Sequence, residues 1–383
     1  MTSLSTKQRS FLFSTFVFVI CFIVGLFLSA HKLLWNDEIY SQINVIDKHS
    51  LWQIITMQFF DGNKSPLFYS LQKIIAIIFQ FQFPFEWQKE WFVKDQSAQM
   101  IMRLGPNLCT SLLISGIVYY FTKVYSYTWG IVAFIVCLCT PTTWFYFSEA
   151  RPYALWMCLT GFQIITIIEV IRSKEQTTKL LKRLSLIHIL LSLTVVISLI
   201  QIVIGSFIVG VFLDRNWRKF VPMTLIPVAI CGVTQMVSLH FNLRVLRPMP
   251  TFIFDNIPVT FFMLVSVACL LFVFKKNKKD KVFISVMCSF ILYVLAAVAL
   301  IAKLHISANN EAGVQYFEVL ARYFVFLSPI GIIGAMYAIK NIMSECKGSK
   351  LKTMNGLLLV LGLLIITAIQ TYGFVLRWAV YYF

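Results

Sequence analysis

A series of apolar runs, each long enough to cross a lipid bilayer, constrains this chain more than any other feature of its sequence. A transmembrane helix needs about 20 consecutive, mostly apolar residues. Charged residues make up 13% of the chain, against about 25% in a typical soluble protein. The pattern predicts an all-α polytopic membrane protein. The clear spans lie at about 11–30, 101–121, 130–147, 152–171, 220–240, 257–274, 282–301, 323–340 and 355–374.

Basic loops indicate the orientation, because lysine and arginine collect on the cytoplasmic side of membrane proteins. Three loops are rich in them, at 172–183, 275–281 and 340–352, and we place all three inside together with the N-terminus. If 66–83 also crossed the membrane, the basic loop 172–183 would fall outside, so we expect 66–83 to lie on the outer surface as an amphipathic helix. If 186–213 were a single span, the basic loop 275–281 would fall outside, so a hairpin of two short helices is favoured there, with its turn near residues 198–201. The expected topology has about 11 transmembrane helices, with the N-terminus inside and the C-terminus outside.

The chain is expected to form a single membrane domain over 1–383, with a long outer loop at 31–100 and no separate soluble domain. A net charge of +17 could indicate a nucleic-acid partner. The basic residues instead follow the expected cytoplasmic loops, so we expect a lipid bilayer as the partner and no nucleic acid. The first apolar run is longer than the core of a usual signal peptide, and we interpret it as an uncleaved helix.

An acidic pair, Asp37 and Glu38, follows the first apolar run directly, in the segment WNDEIY at 35–40. Carboxylates are costly to hold near lipid, so such a pair indicates a functional site. The same loop carries Asp61 and Lys64. A loop of this length in a compact membrane protein is usually functional, so the outer face is the candidate site.

Three arginines are expected at the same membrane boundary: Arg103, Arg151 and Arg322. Each has a structural alternative as an interfacial anchor, and Arg151 could simply pair with Glu149. Taken together with the carboxylates, they can hold an anionic lipid headgroup while one carboxylate acts as a base. This reading makes the outer face a polar reaction site.

Five motifs in this order resemble those of the GT-C superfamily, membrane glycosyltransferases that use polyprenyl-phosphate sugars. The nearest likeness is to the bacterial relatives of protein O-mannosyltransferases and of the lipid A aminoarabinose transferase. The motifs are WNDEIYS at 35–41, DGNKSPLFYS at 61–70, RLGP at 103–106, SEARPY at 148–153 and RY at 322–323. The likeness is best over residues 1–175. Where the family usually has a His-Pro-Pro-Leu-like run, this chain has KSPL at 64–67.

The resemblance implies that the chain transfers a sugar from a polyprenyl-phosphate donor to an acceptor hydroxyl, with inversion, on the outer side of a bacterial cell membrane. The acceptor would be a glycolipid, a glycan or a protein. Asp37 would be the general base and Glu38 its partner. Asp61 and Lys64 would contact the sugar or a divalent metal, which stays a possibility. The donor phosphate would be bound by Arg103, Arg151, Arg322, Tyr153 and Tyr323.

Two other classes of protein remain as alternatives. A transporter or flippase of a lipid-linked saccharide would carry charged residues in the middle of its spans and interrupted helices, whereas the charges of this chain lie at the ends of the expected spans. A membrane subunit with only a structural role would leave the outer acidic and arginine residues unexplained.

Overall fold

Helices form nearly all of the fold in the computed structural model, as the apolar runs predict. The structure describes residues 5–59, 61, 64–84, 86–87, 92–173, 177–212, 217–240 and 325–345, with single positions between 282 and 295. The helices are α1 (Thr6–His31), α2 (Asn36–Ser41), α3 (Leu51–Ile55), α4 (Pro66–Ile78), α5 (Gln96–Met102), α6 (Leu104–Val124), α7 (Tyr127–Leu138), α8 (Pro141–Phe147), α9 (Tyr153–Arg172), α10 (Thr177–Ser192), α11 (Ser198–Phe212), α12 (Trp217–His240) and α13 (Leu327–Glu345).

Three of the described helices, α1, α6 and α9, are long and apolar enough to cross a membrane by length and composition. They pack side by side, with α6 in contact with both α1 and α9. Most of α6 and α9 is buried, whereas α1 leaves Phe11, Phe16 and Phe27 more than 60% exposed. Exposed phenylalanines along a helix of this length fit a surface that faces lipid acyl chains. These three helices confirm an integral membrane fold.

The predicted span at 130–147 differs from the structure, which divides it into α7 and α8. The break falls at Thr140 and Pro141, and proline lacks the N–H that would continue the helical hydrogen bonds. Single-sequence hydropathy does not register such a break, because both halves are apolar.

The stretch 186–213 forms two helices, α10 and α11, in agreement with a hairpin. Its turn lies at residues 193–197, a few residues before the predicted position, and α10 begins at Thr177 within the basic loop. The predicted spans at 257–274 and 355–374 lie outside the described residues, as does most of 282–301. The total of eleven spans therefore stays a prediction.

The segment 31–100, called the first outer loop here after its predicted position, folds back on itself, and its two ends meet. Strands β1 (Leu34–Trp35) and β2 (Phe92–Val93) pair antiparallel, with Leu34 opposite Val93. A π-helical turn at Gln42–Asp47 continues from α2. The two short strands depart from a purely α-helical prediction, and they hold the start of α2 beside α5.

Helix α4 presents different chemistry on its two faces. The inner face buries Tyr69 and Gln72 among other side chains, while the outer face leaves Ile77 57% and Ile78 68% exposed. Such an exposed apolar face is typical of a helix that rests on the membrane surface. The helix of 13 residues ends at Ile78, before the predicted end at 83. Its position on the surface stays a prediction.

Candidate active site

Glu38 and Arg103 form a buried ion pair that joins the first outer loop to the start of α6. Arg103 Nη2 lies 2.6 Å from Glu38 Oε2, Arg103 Nε donates to Oε1 at 2.8 Å, and both side chains are 0% exposed. Burial raises the pKa of the Glu38 carboxyl, but the Arg103 guanidinium, Lys32 and the Ala150 N–H together lower it by more, so the net shift is downward. Glu38 is therefore a carboxylate in the folded protein at neutral pH.

The Glu38 carboxylate also holds two other segments through their main chain. The Trp35 N–H donates to Oε2 at 3.2 Å, and the Ala150 N–H donates to Oε1 at 2.6 Å. The first bond closes the N-terminus of α2. The second fixes the turn between α8 and α9, which carries Arg151. One side chain thus sets the relative position of Asp37 and Arg151.

Arg103 uses all of its hydrogen-bonding capacity inside the protein. A guanidinium has five N–H donors. Two of them go to Glu38, and the other three go to the carbonyl oxygens of Ser29 (3.1 Å), Leu33 (2.7 Å) and Lys32. A phosphate could reach Arg103 only by displacing one of these bonds. The geometry indicates a structural role for this side chain.

Lys32, the first residue after α1, adds a second cation to this buried cluster. Its side chain is 2% exposed. Burial and the neighbouring Arg103 lower the pKa of the Lys32 ammonium to about 8, against the opposing effect of Glu38 and Glu149. The cluster thus contains two cations and two carboxylates, which balance each other in a region of low polarity. Sequence analysis did not single out Lys32.

Arg151 lies in the turn between α8 and α9 and points at the first outer loop. Its Nη1 donates to the Ser41 hydroxyl and, at 3.4 Å, to the main-chain oxygen of Asp37, and it lies 3.6 Å from Asp61 Oδ2. The Nε atom is buried without a hydrogen-bond partner among the described residues. Unlike Arg103, this guanidinium retains a donor for a ligand.

Asp61 is held beneath Arg151 by Tyr69 of α4. The Tyr69 hydroxyl donates to Asp61 Oδ2, and both side chains are buried. Burial raises the pKa of the Tyr69 hydroxyl well above its ordinary value, so Tyr69 stays a neutral donor. Asp61 therefore orients Arg151 from one side while Ser41 orients it from the other.

Asp37 occupies the first turn of α2, where the helix dipole favours a negative charge. Its side chain is half-buried, whereas Glu38 and Asp61 are 1% and 4% exposed. Among the three carboxylates singled out in this loop, Asp37 therefore has the greatest access to solvent.

An open groove of about 630 Å³ lies near Arg151 and Asp61, within the first outer loop. Its lining side chains include two lysines, one histidine and no carboxylate. They are Tyr40, Asn44, Lys48, His49, Met57, Gln58, Phe59 and Lys64. Burial and the nearby Asp61 carboxylate raise the pKa of the Tyr40 hydroxyl, against the opposing effect of Arg151. Because Tyr40 lines the groove and is close enough to feel both charges, the groove opens next to Asp61 and Arg151.

Of the four remaining predicted site residues, two lie among the described residues and two do not. Lys64 is 8% exposed and donates from Nζ to the Met57 carbonyl at 3.4 Å. Tyr153 is buried at the start of α9, against the Tyr146 ring. Arg322 and Tyr323 lie outside the described residues, so their position stays a prediction.

A metal does not fit the Glu38 carboxylate, and one oxygen of Asp61 is already engaged. Both oxygens of Glu38 accept two hydrogen bonds each, and Oδ2 of Asp61 accepts from Tyr69 and faces Arg151. Within the described ranges, no group of three or more His, Cys, Asp or Glu side chains comes together in a way that could hold a metal ion.

Ser41 and Tyr69 are, like Lys32, contacts that sequence reasoning missed. Both lie inside motifs singled out in the sequence, WNDEIYS and DGNKSPLFYS. Their position within those motifs was a usable signal, because a side chain inside a clustered motif often supports its charged neighbours.

Comparison with solved structures supports the fold. An oligosaccharyltransferase, AglB from Archaeoglobus fulgidus, in complex with an inhibitory peptide and a dolichol-phosphate, matches with a TM-score of 0.57 at 9% identity. That match covers 94% of this chain and 56% of AglB. ArnT from Cupriavidus metallidurans in the apo state matches with a TM-score of 0.53 at 11% identity, over 94% of this chain and 75% of ArnT.

The chain thus spans about half the length of the oligosaccharyltransferase that it matches. No family model matches the chain, and no curated protein matches it in sequence. At these identities the likeness concerns the fold alone. It shows that the chain shares the membrane fold of AglB and ArnT, in agreement with the fold that the sequence resemblance implied.

Proposed function

We propose that this chain, which has the GT-C fold, transfers a sugar from a polyprenyl-phosphate donor to an acceptor hydroxyl, with Asp37 as the general base. One observation carries the proposal. Glu38 and Asp61 are buried and hydrogen-bonded, whereas Asp37 keeps solvent access beside Arg151. A base must reach the proton that it removes, and Asp37 has the necessary access.

In the proposed reaction, the acceptor oxygen attacks the anomeric carbon of the donor sugar. A C–O bond forms to the acceptor, and the C–O bond to the donor phosphate breaks in the same displacement, which inverts the anomeric centre. Asp37 takes the proton from the acceptor hydroxyl, and the phosphate leaves with the electron pair of the broken bond. Proton transfer to a positioned carboxylate contributes about 10²–10⁴-fold in rate.

Arg151 is proposed to stabilise the departing phosphate. Burial lowers the pKa of its guanidinium, but the surrounding ionisable groups, the carboxylates of Asp61 and Asp37 among them, raise it by more, so the side chain stays cationic. Its contacts to Ser41 and Asp61 hold it in place before the substrate arrives. Preorganised positive charge of this kind acts on charge that develops in the transition state. Arg322, Tyr153 and Tyr323 remain further proposed phosphate contacts by their motifs.

Glu38 and Arg103 are proposed to act through other residues. Their ion pair and the two main-chain bonds of Glu38 fix α2 and the turn that carries Arg151. This makes them positioning residues for Asp37 and Arg151, and it removes Arg103 from the proposed phosphate contacts. The proposed mechanism routes no step through a metal.

The groove next to Arg151 is the proposed entrance for the polar reactants. Lys48 and Lys64 make its lining cationic, which suits the phosphate of the donor or an anionic acceptor. The lipid tail of the donor would lie in the bilayer between the spans. We place the site on the outer face of a bacterial cell membrane because the basic loops assign the opposite face to the cytoplasm.

The test is transfer by the purified full-length chain in proteoliposomes that contain polyprenyl phosphate carrying a radiolabelled sugar, with an envelope extract as the acceptor. The proposal expects label to appear in the acceptor and free polyprenyl phosphate to accumulate in equal amount. Heat-denatured protein in the same liposomes is the control. Label that crosses the bilayer but stays on the polyprenyl carrier would instead identify a transporter and overturn the proposal.

A further inference from the structure

A second polar cavity of about 370 Å³ lies among α1, α6, α9 and α10. Four cationic side chains line it: Lys7, Lys123, Lys179 and Arg183. The only carboxylate among its lining residues is Glu169. The cavity therefore carries a net charge of +3 from its own walls.

This cavity is at the opposite end of the helices from the candidate active site. Helix α6 begins directly after Arg103 and carries Lys123 in its last turn, and α9 begins beside Arg151 and carries Glu169 in its last turn. At 1.5 Å per residue, a helix of 21 residues separates its two ends by about 30 Å. The cavity is therefore a distinct site.

Glu169 neutralises part of this charge. It lies 3.0 Å from Arg183 Nη1 and 3.7 Å from Lys123 Nζ. The side chains of Lys123 and Arg183 are 42% and 43% exposed, so these pairs face solvent and hold the cations only weakly. The lining includes no second carboxylate for Lys7 and Lys179.

The general excess of lysine and arginine on the cytoplasmic side accounts for cations in this region. It does not account for four cations from three separate helices that converge on one cavity. Like charges at close range repel each other, and a bound anion relieves that repulsion. The arrangement favours an anionic ligand.

The remaining wall indicates where the anion comes from. Tyr119, Phe162, Ile165 and Leu180 line the cavity beside the cations. The cavity lies at a membrane-boundary end of α1, α6 and α9, which are the candidate spans. A soluble phosphate has no need of an apolar wall, whereas a phospholipid presents its glycerol and acyl chains there.

From this cavity we infer a binding site for the headgroup of an anionic phospholipid. The phosphate lies among Lys7, Lys123, Lys179 and Arg183, and the acyl chains run along the apolar wall. Basic pockets between transmembrane helices on the cytoplasmic side bind anionic headgroups in this way. Such a lipid would hold α10 against α6 and α9 at the end of the bundle away from the active site.

The experiment titrates the purified full-length chain with phosphatidylglycerol and, separately, with zwitterionic phosphatidylcholine, and counts bound lipid by native mass spectrometry. Each charge near a headgroup contributes about fivefold in affinity. We expect Lys179→Gln to weaken phosphatidylglycerol binding by about fivefold, and Lys123→Gln with Lys179→Gln by about 25-fold. Phosphatidylcholine should bind weakly to every variant.

Lys182→Gln is the matched control. Lys182 lies on the same helix and is exposed, but it does not line the cavity. It should change phosphatidylglycerol affinity less than twofold. An equal loss for Lys179→Gln and Lys182→Gln would overturn the site in favour of a diffuse basic surface.

A third arm separates a lipid from a soluble phosphate. Glycerol phosphate should fail to displace bound phosphatidylglycerol at equal concentration, because it lacks the acyl chains. Displacement at equal concentration would overturn the lipid assignment. The readout is lipid binding and not sugar transfer, so this inference and the proposed function fail independently.

Discussion

Replacing Glu38 with glutamine removes one charge from the buried Glu38–Arg103 pair and keeps the size of the side chain. Arg103 then stays charged and 0% exposed without its carboxylate. Four donors point at the two Glu38 oxygens. The single amide oxygen of glutamine can accept two of these bonds, while its NH2 group faces the other two donors.

The expected cost is about 3–5 kcal/mol, the range for removing one partner of a buried ion pair. The unfolding entropy is about 2.1 cal/mol/K for each residue, which for 383 residues converts that cost into a fall of about 5 °C in Tm. The measurement is thermal unfolding of the purified protein in detergent, followed by intrinsic fluorescence.

Asp37→Asn is the matched control, because it removes a neighbouring charge that is half-buried and lies outside the ion pair. Its Tm should stay within about 1 °C of the wild-type value, since mutations of this kind usually change stability by less than about 0.5 kcal/mol. A Glu38→Gln variant that unfolds at the wild-type temperature would refute the role of Glu38 in holding the first outer loop against α6.

Four further results are expected. The pKa of Glu38 is lower in the folded protein than in the unfolded chain. The stability that the Glu38–Arg103 pair contributes is therefore complete above the unfolded-chain pKa of about 4.3 and is lost as pH falls through the folded-state pKa. The Tm of the wild type should thus drop below about pH 4, and the Tm of Glu38→Gln should drop less. The double variant Glu38→Gln with Arg103→Gln should lose less stability than the sum of the singles, by about 2 kcal/mol in a double-mutant cycle; additive losses would contradict a coupled pair. Arg151→Lys should lower kcat by about 10²-fold in the transfer assay with a Tm near wild type, because lysine keeps the charge but not the fork of donors; unchanged kcat would contradict its role at the phosphate. In a cysteine-free background, Gln82→Cys should react with an impermeant thiol reagent added outside whole cells; protection would contradict the outer position of α4.

Local patterns in the sequence predict those parts of the fold that depend on neighbouring residues. The helices α1, α6 and α9 follow from unbroken apolar runs with charges at their ends, and the α10–α11 hairpin follows from counting crossings against basic loops. The division between α7 and α8 falls at a proline between two apolar segments, so a hydropathy average over both segments missed it.

The candidate site was predicted in its residues but not in its pairings. Glu38 and Arg103 are 65 positions apart, and Glu38 and the Ala150 N–H are 112 apart. No local pattern reports such contacts, because they depend on the packing of α6 and α9 around the loop. Sequence reasoning therefore grouped Arg103 with the phosphate contacts, whereas in the structure its five donors are all used within the protein.

In the proposed reaction, Asp37 removes the proton from the acceptor hydroxyl. The most direct test measures initial rates of transfer from labelled polyprenyl-phosphate sugar by wild type, Asp37→Asn and Asp37→Glu at matched protein concentration. We expect Asp37→Asn to lose about 10²–10⁴-fold in kcat with an unchanged Tm, and Asp37→Glu to recover part of the rate because it restores a carboxylate. Transfer by Asp37→Asn at the wild-type rate would show that Asp37 is not the general base.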